Sequence, residues 1–525
     1  MRAVKWNRFD LARSDQGEER AADWVALTVI DKAISVPAPA GRHFHVLGRN
    51  VLLKYIGETS RLFQLTFFVV VARQFGPAAL GRLTVLLMIG STVGLFVGDL
   101  GINTTMIARI SGRRDSERVK EVSEAFFWKN ILFVLAFILV YSGIYLSHYS
   151  GSWSEIFSVT VISLGSVWFE FLSALTNGVN RFDYEVFLRL IYRGVVYGGG
   201  TLVAFTGNLA GDLVYMAVAA IVILTVGLMV LSKRLIPIKF SVRPITDIGL
   251  LRNSVPIWIT QLAQLTYLKF DVVILGLLHV AALETGWYAA AWKIADVLTT
   301  VPALLSAAAL PLLCGDSAER NLPLIAPRYL KIMYVLPFLF VLPLAIGAGW
   351  ITQLLYGDSF AGTPRILQIL VWAVVPIFVH TFLAIVAVAT GRQSAAAKLA
   401  ALTSALGILI AVLIVPRYGY EAMAVVCLVA NSIFAFAMIY KFRDVTGTMQ
   451  LGVAIKSVGS ALGVYGLCSL WGSEVHPVLV VLAGTAAYCL ALVLLGVVNF
   501  GHMSGAWRLL GSMFENRPAR ESSPA

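Results

Sequence analysis

Fourteen runs of roughly twenty apolar residues dominate this sequence, and no other feature restricts its fold as severely. About 30 Å of hydrocarbon, crossed at 1.5 Å per residue, takes about twenty residues of helix. The runs lie near 51–73, 84–107, 126–147, 154–176, 188–206, 210–232, 254–278, 285–312, 330–355, 366–390, 396–415, 419–440, 453–471 and 477–499. Each predicts one membrane span. Lipid forces every backbone group to be satisfied within its own element, so the fold class expected is all-α. Of the 525 residues 58% are hydrophobic and 13% charged, about half the charged share of soluble domains, which leaves a polytopic membrane protein.

The formal charge of +12 is explained by loops and does not call for nucleic acid. Loops after even-numbered spans, with their edges, hold nineteen lysines and arginines, from Arg109 and Arg113 through Arg181 and Arg189 to Arg443. Loops after odd-numbered spans hold four: Arg73, Arg82, Arg365 and Arg417. That bias places both termini in the cytoplasm, the tails being residues 1–50 and 500–525. The first fifty residues lack the layout of a signal peptide; Trp24, Leu27, Ile30 and Ile34 suit a short amphipathic helix on the membrane or a solvated tail. Trp128, Trp153, Trp350 and Trp471 fall near span ends and are expected to be headgroup anchors. The four cysteines have neither disulfide nor metal spacing.

Charge inside the spans is costly and marks candidate sites. Seven basic residues lie there: Lys54, Arg61, Lys129, Arg193, Lys269, Lys293 and Lys456. Lys54, Lys129, Arg193 and Lys456 fall near predicted cytoplasmic ends and are expected to snorkel. Arg61 and Lys293 fall at mid-depth, and Lys269 in the outer half of span seven. Five acids accompany them: Glu58, Asp99, Glu170, Asp271 and Asp296. Lys54, Glu58, Arg61 and Gln64 share one face of span one; Gln261, Gln264 and Asp271 line one face of span seven; Lys293 and Asp296 are three apart on span eight. Two readings stand. The charges are internal ion pairs, or Arg61, Lys293, Lys269 and the glutamines line a hydrated cationic cavity for a diphosphate, with Glu58, Asp99, Asp271 and Asp296 in coupling or gating. Asp99, beside Gly98 and Gly101, either pins span two to a neighbour or titrates. His380 is expected to be a packed neutral histidine, and Pro256, Pro302 and Pro376 to kink their helices. The glycines from Gly194 to Gly200 allow close helix approach or flexing.

The pattern Ala-Arg-x-Phe-Gly-Pro-x-x-x-Gly from Ala72 to Gly81, followed by Gly98-Asp99-Leu100-Gly101-Ile102-Asn103, resembles the opening helix pair of bacterial polysaccharide exporters. These are lipid-linked oligosaccharide flippases of the multidrug/oligosaccharidyl-lipid/polysaccharide superfamily, related to MATE drug exporters. The stretch from Gly286 to Ala295 resembles the family's eighth helix, and Trp168 to Phe182 its fourth helix and cytoplasmic turn. The resemblance implies two six-helix lobes in parallel pseudo-repeat, at 51–232 and 254–440, with two further helices at 453–499 and the substrate site between the lobes. It implies alternating-access flipping of undecaprenyl-diphosphate-linked oligosaccharide across a bacterial inner membrane, for exopolysaccharide, capsule or O-antigen assembly. The expected partners are that lipid, the bilayer, and polysaccharide polymerase and chain-length proteins.

The sequence contains no Gly-x-x-x-x-Gly-Lys-Ser/Thr phosphate loop, so no cofactor is expected; a proton or sodium ion is the candidate coupling ion. A transporter and not an enzyme is expected. Rival readings are a lipid II flippase, a MATE-type multidrug exporter, and a membrane polysaccharide polymerase or ligase.

Overall fold

The computed structural model describes residues 56–111, 115–146, 152–237, 249–252, 254–255, 258, 271–314, 318–446, 450–470 and 476–497. All fall within one compact unit, Lys54–Ala525, and no strand occurs among them. Residues 1–50 and 500–525, Lys54, Pro256, Gln261, Gln264, Lys269 and Trp471 lie outside the described residues.

The first element, α1 (Arg61–Phe96), is two helices joined at Gly76, whose φ of 77° interrupts the spiral just before Pro77. Glycine reaches that conformation without the penalty a Cβ would bring. Ten described helices are long and apolar enough to cross a membrane. Two of them, Ile56–Phe96 and Gln393–Lys441, have a kink that lets each supply two crossings.

The second predicted span, 84–107, is not continuous. Helix α1 ends at Phe96, the chain turns with Leu100 at φ 45° and Gly101 at φ 74°, and α2 (Ile102–Ile110) begins afresh. Asp99 therefore sits in a break, not deep inside a helix. The next helix, α3 (Asp115–Leu146), starts well before the predicted 126. Lys129 thus lies about 21 Å along it and is fully buried, so the snorkelling reading fails for it.

Helices α4 (Trp153–Gly178), α5 (Phe182–Arg193), α6 (Gly199–Ala204) and α7 (Leu209–Arg234) complete the first half. Between α5 and α6 the five residues Gly194–Gly198 form a π-helical turn, a widening common at functional positions. A Cβ on Gly199 would overlap the Tyr215 ring, and one on Gly200 would press on Met216, so these glycines serve close packing against α7.

The second half opens with a helical stretch at 271–277 and α8 (Ala282–Cys314), which runs through Pro302. Predicted span nine is divided into α9 (Ala318–Val335), α10 (Phe338–Ile346) and α11 (Ala348–Tyr356). Span ten comprises α12 (Thr363–Leu370) and α13 (Val374–Ala389), joined by a 3₁₀ turn just before Pro376. Helix α14 (Gln393–Lys441), the short α15 (Arg443–Thr446), α16 (Gln450–Leu470) and α17 (Pro477–Leu494) follow. The last two pack on each other and on α9 and α10, with Phe338, Leu342, Val464 and Tyr488 in a small apolar cluster of their own.

Many large apolar side chains point away from the protein, among them Leu202, Leu413 and Leu482, each more than half exposed. Such a girdle needs lipid around it. Trp153 and Trp350 are exposed as anchors should be, whereas the Trp128 indole nitrogen is turned into the protein.

Candidate functional site

Among the described residues, the most extensive helix contact joins α1 to α8, one from each half. Beside it opens a cavity of about 870 Å³, lined from both halves. At one end of the bundle the halves meet backbone to backbone: a Cβ on Gly286 would overlap the Pro77 carbonyl, and one on Gly81 the Ala282 carbonyl. There Arg73 donates to the carbonyls of Leu354 and Leu355. At the other end the Trp258 indole donates to the Phe96 carbonyl at 2.9 Å, and the Ser254 hydroxyl to that of Thr105 at 2.9 Å.

The cavity brings together Glu58, Arg61, Gln64, Asp271, Lys293 and Asp296 from the predicted set. Arg61 Nε donates to Glu58 at 2.6 Å, and its Nη1 reaches Thr300 Oγ1 on α8 at 3.0 Å. Lys293 Nζ stands 3.7 Å from the Phe68 ring centroid, a cation over an aromatic face that again spans the two halves. Asp271 accepts from the Tyr288 hydroxyl at 2.7 Å and from the backbone of Val272 at 2.8 Å. Asp296 sits near Thr299, whose hydroxyl donates to its carbonyl at 2.7 Å.

Asp99 is not among the described lining residues. It pairs with the buried Lys129 at 2.7 Å, pinning the break after α1 to α3. His380 is buried, 3.3 Å from Asn431 and against Phe434.

Two cavity-lining arginines are not among the residues the sequence points to. Arg189 was assigned to a cytoplasmic loop edge and Arg193 to snorkelling, yet both line the cavity. Arg189 is held by Glu185 at 2.9 Å, Ser173 at 3.1 Å and Glu170 at 3.2 Å; Arg193 donates to Ser60 at 3.0 Å. The signal was the spacing Glu185, Arg189, Arg193, four apart on one face of α5.

The described lining is also not purely cationic. Arg61, Arg189, Arg193 and Lys293 share it with Glu58, Glu170, Glu185, Asp271 and Asp296. Three guanidiniums gather on the wall of the first half, and every one touches a carboxylate. Arginine's planar fork suits carboxylate or phosphate oxygens, so this wall is built to hold anionic oxygen.

The family described as polysaccharide biosynthesis protein matches residues 47–314, more than half of the chain. The chain belongs to that family. No curated protein matches it. Among solved structures, the family fold is seen in the lipid II flippase MurJ in an inward closed conformation. That structure is 13% identical with a TM-score of 0.69, over 84% of this chain and 98% of that one. An inward-facing multidrug resistance MATE family transporter of the MOP superfamily is 15% identical, with a TM-score of 0.58 over 75% of this chain and 97% of that one. The outward-facing form of such a transporter gives 0.55 at 15% identity, over 76% and 94%. At these identities the likeness is one of fold. This member of the polysaccharide biosynthesis family is a multi-pass membrane protein with the architecture of MOP transporters.

Proposed function

We propose that the protein is a flippase carrying undecaprenyl-diphosphate-linked oligosaccharide from the inner to the outer leaflet of a bacterial cytoplasmic membrane, feeding exopolysaccharide, capsule or O-antigen assembly. The observation that carries this reading is the inter-half cavity with Arg61, Arg189 and Arg193 on one wall and Lys293 on the other. The first-half lobe, 51–232, and second-half lobe, 254–440, rock about the cavity while the lipid tail stays in the bilayer. No bond is made or broken. A proton or sodium gradient supplies the energy, with Asp271 and Asp296 as the candidate coupling carboxylates. Membership of the polysaccharide biosynthesis family supports the glycan cargo.

The test is mass spectrometry of lipid extracts from a deletion strain, with leaflet-selective labelling of the glycan. Accumulation of a diphosphate-linked oligosaccharide facing the cytoplasm, with loss of surface polysaccharide, is expected. A deletion that leaves lipid-linked glycans unchanged and lowers tolerance to small molecules refutes the proposal in favour of drug export. The fold match to MurJ favours a second reading, lipid II flipping. Lethality of the deletion, with lipid II accumulating, would establish that one instead.

A further inference from the structure

Glu58 holds a central position in the cavity wall. Its carboxylate faces Arg61 Nε at 2.6 Å, Arg193 Nη1 at 3.6 Å and Arg189 Nη1 at 3.8 Å. Only the first distance is that of a hydrogen bond. The other two guanidiniums are held in place by different groups: Arg193 by Ser60, and Arg189 by Ser173, Glu185 and Glu170. The positions of Arg189 and Arg193 therefore do not depend on Glu58. The side chains of Glu58 and Arg61 remain 22% and 37% exposed, on the cavity wall. This is an anion receptor with a carboxylate in its mouth, and its donors outnumber what one carboxylate engages.

Arg61 adds a second property. Through Thr300 it ties this cluster to α8 and so to the other half of the protein. An anion that takes both the Nε and the Nη1 edge of the Arg61 guanidinium must compete with Glu58 and with Thr300 together.

We propose that Glu58 is a resident counter-anion: it fills the fork of Arg61, Arg189 and Arg193 between turnovers and is exchanged for a phosphate oxygen of the substrate, Arg61 releasing Thr300 in the same exchange. The proposal rests on the reading of the cavity as the site of a diphosphate-linked lipid. Arg189 keeps Glu185 and Glu170, but Arg61 and Arg193 have Glu58 as their described carboxylate, and it offsets their repulsion while the site is empty. Exchange also gives selection. A neutral headgroup offers nothing in return for the carboxylate it displaces, whereas a diphosphate brings more charge and more acceptor oxygens than it removes. Because Arg61 is shared between Glu58 and Thr300, arrival of the phosphate is felt at the contact between the halves.

The experiment uses the full chain in lipid nanodiscs at fixed ionic strength, with inorganic pyrophosphate as the probe and calorimetry as the readout. Glu58→Gln keeps the shape and removes the competing charge, and exchange predicts binding about tenfold tighter than wild type. Thr300→Val removes the tie and predicts binding several-fold tighter, while Arg193→Gln weakens binding about tenfold or more. Unchanged or weaker binding by Glu58→Gln, with binding still lost in Arg193→Gln, overturns the exchange and leaves the arginines as a phosphate site. Weaker binding by Thr300→Val overturns the release of the tie. Absence of pyrophosphate binding in both wild type and Glu58→Gln overturns the exchange and the diphosphate reading together.

Discussion

Removing the Lys129 ammonium should unfold this protein more readily than almost any other single truncation. The Lys129 side chain has no exposure, its partner Asp99 has 8%, and they meet at 2.7 Å. Asp99 lies in the non-helical break that ends α1, with Leu100 and Gly101 both at positive φ. Lys129→Met leaves a carboxylate in the packed interior without its cation, a class of change that costs about 3–5 kcal/mol. Asp99→Asn should cost a similar amount, by stranding the ammonium. The double variant, Asp99→Asn with Lys129→Met, has no charge left to strand and should return to within about 1 kcal/mol of wild type, because buried pairs replaced together are often near neutral. The assay is unfolding of the purified protein in dodecyl maltoside micelles with increasing dodecyl sulfate, followed by tryptophan fluorescence, for all four members of the cycle. The coupling energy, the double loss less both single losses, should approach in magnitude the sum of the two single losses. Single losses below about 1 kcal/mol, or a double variant that loses the sum of the singles, would refute the argument that the pair is a pin whose cost lies in breaking it.

Other outcomes follow from the cavity, the closed end and the loops. Arg61→Ala and Lys293→Ala should each abolish export of the lipid-linked glycan while leaving the protein inserted at normal levels; a surface-polysaccharide assay with an immunoblot for the protein checks both. Gly286→Val drives a side chain into the Pro77 carbonyl and should prevent closure of that end, a strain of about 1–3 kcal/mol or more. Cysteine-accessibility labelling of nearby positions should rise in the variant, and unchanged labelling would count against the backbone contact. Arg392 and Asp444 meet at 2.7 Å outside the spans, and the guanidinium holds the Asp444 carboxyl below its ordinary value of 3.8. A depressed aspartate stabilises above its unfolded value and loses that contribution as pH falls through the folded one. Both side chains are about half exposed, so Asp444→Asn should cost less than about 1 kcal/mol at pH 7, and its deficit should shrink as pH falls below 3.8. Melting temperatures measured across that range test this.

Hydropathy and the Gly-Pro signature made most of the helical layout readable, including the turn at Gly76 and the pairing of Glu58 with Arg61 three residues on. Local spacing carries such information. The break at 97–101 was hidden because its residues sit among apolar neighbours and a twenty-residue window averages over them. Lys129 and Asp99 are thirty positions apart, and nothing local announces their contact. Arg189 and Arg193 were misplaced for a different reason. Counting Arg189 toward the charge bias treats it as a loop marker, and placing Arg193 near a span end treats it as a snorkelling cation; only the bundle shows that α5 turns that face onto Glu58. Asp271 was legible as an intramembrane acid, but its Tyr288 partner lies on another helix.

The Arg73 and Trp258 bonds at the two ends share one chemistry. At one end Arg73 donates into carbonyls of the last turn of α11, and at the other Trp258 donates into the last residue of α1. The acceptors Leu354, Leu355 and Phe96 are carbonyls in the last turns of their helices, where side chains commonly supply donors. Such oxygens accept water as readily as a side chain. Parting the halves at these contacts would therefore swap one hydrogen bond for another and strand none of these carbonyls.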